Sequence, residues 1–226
     1  MKKIETETKI IMPFVNEGGK VYQIEKLDKI KKNYFYLFVK RFLDLFCSFL
    51  GIVILLVPMF IIGIIVKSTS KGPAIYSQER LGINGKPFKL LKFRSMFLDA
   101  EANGAQWSQG DNDNRITKIG RILRKSRLDE LPQLFNIFVG QMSLVGPRPE
   151  RAIFYNEFEK YIPGFSQRLI VKPGLTGHAQ VNGGYDLKPE EKIILDIEYI
   201  KKMSLWFDIK ILFKTVLIVF NHKGAK

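Results

Sequence analysis

Two neighbouring carboxylates, Asp129 and Glu130, stand in the stretch SRLDELPQLF, directly downstream of the most basic run in the chain. In that run Arg115, Lys118, Arg121, Arg124 and Arg127 recur every third residue, with Ile116, Ile119 and Ile122 keeping step beside them. Three roles compete for the acids. Ser126-x-x-Asp129 matches a capping box, in which Asp129 only reaches back to a backbone N–H and Pro132 suits the first helical turn. A proton-sharing dyad is disfavoured, because adjacent residues on a helix do not face each other. With ordinary pKa values of about 3.9 and 4.3 both groups are ionised at neutral pH. Diverging directions then suit a nucleophile beside a cation ligand. That third role demands an electrophile whose charge needs neutralising, such as a diphosphate held by arginine and Mg²⁺.

The composition fits such a substrate. The chain has 226 residues, 36 Lys+Arg against 22 Asp+Glu, and a net charge of +14, so its field draws anionic partners. No nucleic-acid recognition motif accompanies the charge, so no nucleic-acid partner is expected. The sole cysteine, Cys47, excludes an intrachain disulfide, and two histidines, His178 and His222, cannot build a zinc cluster. GINGK invites a phosphate-loop reading that fails, since Arg80 stands at the first glycine position and Pro87 at the Ser/Thr position. Asp111-Asn-Asp113 is a second metal candidate, a D-x-D of the kind used by glycosyltransferases that release UDP.

The elements that must position these groups are readable in outline. Residues 1–33 read as a basic arm. Phe42–Val66 is apolar except for Asp44 and Ser48, long enough for a membrane helix and too far along the chain for a signal peptide. Pro58 interrupts it, and both flanks are basic, with Lys40 and Arg41 before and Lys67, Lys71, Arg80 and Lys86 after. A re-entrant helix-break-helix that enters and leaves on one face satisfies both flanks; a single span remains the alternative. Ala74–Arg80 and Pro87–Ser95 read as two strands joined by the turn Gly82–Gly85. Helices are predicted over 115–125, 130–139, 150–160 and 189–203. Ser204–Asn221 reads as a helix lying on a membrane surface or packed on the core. The expected class is therefore α+β and mainly helical, divided into the arm (1–33), a membrane-inserted helix (34–66) and a catalytic domain (67–226).

KRFLD (40–44), GPAIYSQERLGINGKPFKLLKFRSM (72–96), LDELPQLFNIFVGQMSLVGPRPE (128–150), KPGLTGHAQVNG (172–183) and LDIEYIKKMSLWFDIKILFKT (195–215) occur in this order. Together they resemble the bacterial sugar transferases of the monotopic phosphoglycosyl transferase superfamily. The resemblance implies transfer of a phosphosugar from a UDP-sugar to undecaprenyl (polyprenyl) phosphate, releasing UMP, at the cytoplasmic face of a bacterial inner membrane. It implies Asp129 as nucleophile and Glu130 as Mg²⁺ ligand. Lys92, Arg94, Arg124 and Arg148 become diphosphate or uridine contacts, and Lys40, Arg41, Asp44 and Pro58 the bilayer anchor. A homodimer is compatible with it. The sequence departs from the usual pattern at Val57-Pro58, where Ser-Pro is common, and at His178, where an aromatic is frequent. It also lacks the multi-span N-terminal region of long members.

Overall fold

A computed structural model describes residues 21–27, 33–102, 113–183 and 187–221. Helix α1 (Tyr34–Thr69) runs for 36 residues, about 54 Å at 1.5 Å per residue. The side chain of Asn33 opens it by accepting the Tyr36 N–H at 3.0 Å. Its polarity is inverted. Asp44, Ser48, Met59 and Val66 fall on the one side that is buried, while Phe42, Phe46, Phe49, Val53, Val57 and Phe60 are exposed. By length and composition this helix could cross a membrane, and only 11% of its apolar window is buried. The helical break expected at Pro58 is absent. Leu55 before it and Met59, Ile62 and Val66 after it pack into a single cluster with Phe93 and Leu123. That packing holds both turns although Pro58 offers no N–H to the preceding turn.

The predicted hairpin is present: β1 (Ile75–Leu81) pairs antiparallel with β2 (Pro87–Phe93), from Ile75 opposite Phe93 to Leu81 opposite Pro87. Its connection places Asn84 at φ 56° and Gly85 at φ 72°, left-handed positions that Asn-Gly tolerates. Helix α2 (Lys118–Lys125) starts later than predicted, after Thr117, whose side chain accepts the Gly120 N–H at 2.9 Å. A step of three precesses around a helix of 3.6 residues per turn, so the isoleucines form no single buried ridge. Leu123 is buried and Ile122 is exposed.

A 3-10 turn (Leu128–Glu130) carries the acid pair into α3 (Gln133–Phe138). Two strands absent from the expectation follow: β3 (Ser143–Val145) and β4 (Gly174–Thr176), paired in parallel. A β-carbon at Gly174 would overlap the Gly146 backbone N, so glycine lets the Lys172–Gly174 and Gly146–Arg148 backbones touch. Helices α4 (Ala152–Glu159), α5 (His178–Asn182), α6 (Pro189–Lys202) and α7 (Leu205–Asn221) complete the chain. α4, α6 and α7 share a core around Phe158, Phe165, Ile193 and Ile211. Residues 21–27 dock on it through Tyr22, whose N–H donates to the Tyr161 carbonyl at 2.9 Å, and through Ile24 and Leu27. The rest of the predicted arm, 1–20 and 28–32, lies outside the described residues.

Three of the four predicted anchor residues bond to the protein, while Pro58 is exposed on α1. Lys40 Nζ lies 2.8 Å from Asp208 of α7; Arg41 donates to the Ile137 and Phe138 carbonyls at the end of α3. Asp44 accepts the Ser143 hydroxyl at 3.0 Å and the Leu144 N–H at 2.8 Å. Expected to meet lipid head groups, Lys40 and Arg41 instead join Asp44 in clasping α1 to the domain, because the domain supplies acceptors and donors at hydrogen-bond distance. α7 is split the same way, with Asp208 and Ile211 buried and Trp206 and Phe213 exposed.

Candidate active site

The acid pair is delivered by backbone geometry rather than by a capping box. Ser126 closes α2, its hydroxyl donating to the Ile122 carbonyl at 2.8 Å, and is thereby diverted from Asp129. Arg127 then takes a left-handed conformation, φ 57° and ψ 15°, which for a residue with a β-carbon costs about 1–2 kcal/mol. The reversal it makes turns Asp129 and Glu130 inward, where they are 5% and 7% exposed. Asn136 of α3 fixes the turn against the hairpin: its side chain accepts the Leu91 N–H at 3.0 Å and donates to the Lys89 carbonyl at 2.8 Å. The adjoining Lys92 Nζ is thereby set 3.1 Å from Glu130 Oε1.

Arg148 Nη2 reaches the same Glu130 oxygen at 2.6 Å, from the Pro-flanked loop after β3. Asp129 lines a cavity of about 380 Å³. Lys92, Arg124, Arg127 and Arg148 line it too, and on its far side stand Arg80, Arg168 and Lys192. Its acids among the described residues are Asp129, Glu101 and Glu150, so the wall is strongly cationic.

Burial and the neighbouring Glu130 push the Asp129 carboxyl above its ordinary value, and Lys92, Arg124 and Arg148 offset part of that rise. Burial would also raise Glu130, but Arg148 and Lys92 outweigh it and hold that carboxyl well below the carboxylate range. Two adjacent acids are thus differentiated: Glu130 is fixed as an anion by ion pairs, and Asp129 faces the cavity. No cluster of three or more metal-ligating side chains exists among the described residues. Of the pair only Asp129 lines the cavity, and Glu130 Oε1 is held by Lys92 and Arg148; a single carboxylate with water and substrate phosphates is still a ligand set that Mg²⁺ accepts.

Of the residues predicted to contact substrate, Lys92, Arg124 and Arg148 meet Asp129 around one cavity. Arg94 lines the same cavity, but its guanidinium is engaged at the end of α1. Its guanidinium donates to the Val66 carbonyl at 3.2 Å, to the Ser70 carbonyl at 2.7 Å and to the Pro73 carbonyl. It therefore caps the last turn of α1, whose terminal carbonyls lack helical partners. Asp111 lies outside the described residues. Asp113, 1% exposed, is gripped by Arg115 Nε at 2.8 Å and Nη2 at 2.6 Å, which leaves a D-x-D metal role without support. His178 does not line the cavity; it bonds Glu198 at 3.2 Å and packs edge-on against Phe207.

Sequence reasoning missed the far wall. Arg80 pairs with Glu150 at 3.1 Å, and Arg168 with Asp196 at 2.6 Å, both Arg168 and Asp196 being almost fully buried. Arg168 also donates to the Arg148 carbonyl at 2.9 Å and lies over the Phe165 ring at 5.0 Å. Positions 80, 150, 168 and 196 share no local period that could have flagged them.

Residues 35–222 match the bacterial sugar transferase family. A UDP-N-acetylgalactosamine-undecaprenyl-phosphate N-acetylgalactosaminephosphotransferase of Aeromonas hydrophila is 41% identical over 194 residues, covering 84% of this chain and 46% of that relative. A UDP-glucose:undecaprenyl-phosphate glucose-1-phosphate transferase of Klebsiella pneumoniae is 43% identical over 191 residues, 82% of this chain and 41% of the relative. An undecaprenyl-phosphate galactose phosphotransferase of Salmonella typhimurium is 42% identical over 202 residues, 83% of this chain and 42% of the relative. The chain thus spans less than half the length of each. With the match running from the start of α1 through α7 and taking in every element that builds the cationic cavity, the chain belongs to the bacterial sugar transferase family.

Proposed function

We propose that the protein transfers a sugar 1-phosphate from a UDP-sugar to undecaprenyl phosphate, giving undecaprenyl-diphospho-sugar and UMP, the first membrane step of a polysaccharide such as a capsule or exopolysaccharide. The observation that carries the reading is one buried, cavity-facing carboxylate, Asp129, ringed by Lys92, Arg124 and Arg148. A carboxylate can approach phosphorus only where cations offset its repulsion by the phosphate oxygens, and in a low-dielectric wall they offset it strongly.

An Asp129 oxygen attacks the phosphorus that bears the sugar, and the bond from that phosphorus to the bridging oxygen breaks, so UMP leaves with the electron pair. A phosphate oxygen of undecaprenyl phosphate then attacks the aspartyl phosphosugar and returns Asp129 as carboxylate. Arg148, held at its carbonyl by Arg168, and Arg124 orient and neutralise the diphosphate. Glu130 keeps Lys92 and Arg148 in place, and Asp129, the carboxylate of the pair that lines the cavity, would hold Mg²⁺ together with the diphosphate. When bound, that ion supplies further neutralisation of the leaving UMP.

The three relatives are named for three sugars at nearly equal identity. Donor choice therefore rests on a few cavity contacts rather than on overall likeness. Purified protein given Mg²⁺, undecaprenyl phosphate and a panel of UDP-sugars is expected to release UMP with one or a few of them. Release of UDP instead would replace phosphosugar transfer by simple sugar transfer.

The outward apolar face of α1 supports membrane association. Both ends of α1 bond to one folded body, through Lys40 to Asp208 and through Arg94 to the Ser70 carbonyl, which supports a helix whose two flanks stay on one side of the membrane. Reporter tags before Lys40 and after Lys67 are expected on the same, cytoplasmic, side; opposite sides would establish a span.

A further inference from the structure

A second cavity, about 750 Å³, lies behind the first. The last third of α1 forms one wall, from Leu56 to Ser68, and β2 and the start of α3 form the other. It is lined by apolar side chains except at Lys67 and Ser68, near one end of α1. Phe93, 3% exposed, is the one residue common to this groove and the cationic cavity. Pro132, three residues beyond Asp129, lies in the groove wall.

We infer that this groove seats the proximal isoprenoid units of the polyprenyl phosphate acceptor, with Phe93 dividing the tail from the phosphate that enters the Asp129 cavity. The inference rests on the function proposed above and adds where the acceptor binds. Three observations select this occupant. The groove continues the lipid-facing surface of α1, through Phe60 and Ile64, so a lipid tail reaches it without crossing water. Its lining offers no row of hydrogen-bonding groups, which excludes an extended peptide. Phe93, shared with the Asp129 cavity, brings the acceptor's phosphate beside the nucleophile rather than elsewhere on the bilayer surface.

Gly63 provides the test. A β-carbon there would meet Phe93 and Ala74 at 3.9 and 4.0 Å, ordinary contact distances, so a larger side chain projects into open groove. Leucine is also the better helix former, so Gly63→Leu does not weaken α1. In phosphatidylglycerol nanodiscs the full-length variant is expected to show an undecaprenyl phosphate KM raised at least roughly tenfold, the loss of about two buried methylenes of contact. Its burst of UMP from UDP-sugar alone is expected to be unchanged. An acceptor KM within twofold of the parent, with the burst intact, would overturn the inference.

Should the variant lose the burst as well, the unsubstituted protein decides through a polyprenyl phosphate carrying a diazirine in its first isoprene units. Adducts on Met59, Phe60, Ile64 or Phe93 that excess undecaprenyl phosphate displaces, and excess phosphatidylglycerol does not, support the groove. Adducts confined to α7, or equal displacement by both lipids, overturn it. The crosslink needs no turnover, so its failure is separable from absence of the UMP burst, which would count against the proposed reaction.

Discussion

Asp129→Asn is expected to abolish turnover, by roughly ten-thousandfold or more in kcat, and to leave no phosphosugar adduct detectable by intact mass, while membrane association is unchanged. The amide has no anionic oxygen to form the acyl phosphate, and the cations around it have no substitute nucleophile to direct. Stability should move the other way. The folded state raises the Asp129 pKa, so the fold favours its protonated form. Its contribution is complete below the unfolded value near 3.8 and is lost as pH rises through the folded value. At pH 7 the carboxylate is therefore a net cost that Lys92, Arg124 and Arg148 offset only in part, and the asparagine variant should melt at the same temperature as the parent or higher. For the same reason the acid limb of adduct formation should have its midpoint above 3.8. Normal UMP release by the variant would remove Asp129 from the chemistry. A large fall in Tm would show instead that its carboxylate is structural.

Arg168→Leu should produce the largest loss of stability. Arg168 and Asp196 are buried at 2% and 1% side-chain exposure and lie 2.6 Å apart. Removing one partner of such a pair costs about 3–5 kcal/mol, because the other charge is left in the interior, a fall in Tm on the order of 10 °C for a chain of this size. Burial already raises the Asp196 carboxyl to about 6 against the pull of Arg168 and Lys192. Its contribution is thus present below the unfolded value near 3.8 and lost as pH rises through about 6. Without Arg168 the carboxyl rises further, so the deficit should be wider at pH 8 than at pH 5. The double variant Arg168→Leu/Asp196→Leu should recover much of it. Arg168 also holds the Arg148 carbonyl, so the single variant should lose activity at temperatures where it remains folded. A Tm equal to that of the parent at both pH values would refute the role given to the pair.

These two residues divide the protein's legibility. Asp129 and Glu130 were readable because the carboxylates adjoin the basic run in sequence, and Lys92 and Arg148 because each belongs to a stretch whose order matches a family. The hairpin was readable from Asn84-Gly85, a local φ requirement, and α1 from hydropathy summed over a long window. All of these are signals that a short segment carries by itself.

What only the tertiary structure decided is which groups pair across the chain. Arg94 looked like a phosphate ligand because it belongs to the family-like stretch KFRSM; folding sets it in the cavity wall and also brings its guanidinium to the open carbonyls of α1, which it caps. Lys40 and Asp44 looked like lipid anchors beside an apolar helix, yet Asp208 and Ser143 meet them from 168 and 99 residues away. Pro58 looked like a break, and packing on both of its sides kept the helix. β3 and β4 were invisible because three-residue strands have too little pattern of their own, and each exists only where the other satisfies its backbone. Composition, local spacing and the ordered family motifs thus marked each of these charged side chains as a candidate. Its destination depended on long-range hydrogen bonds and ion pairs, whose partners are chosen by burial and proximity and leave no mark on the residues between them.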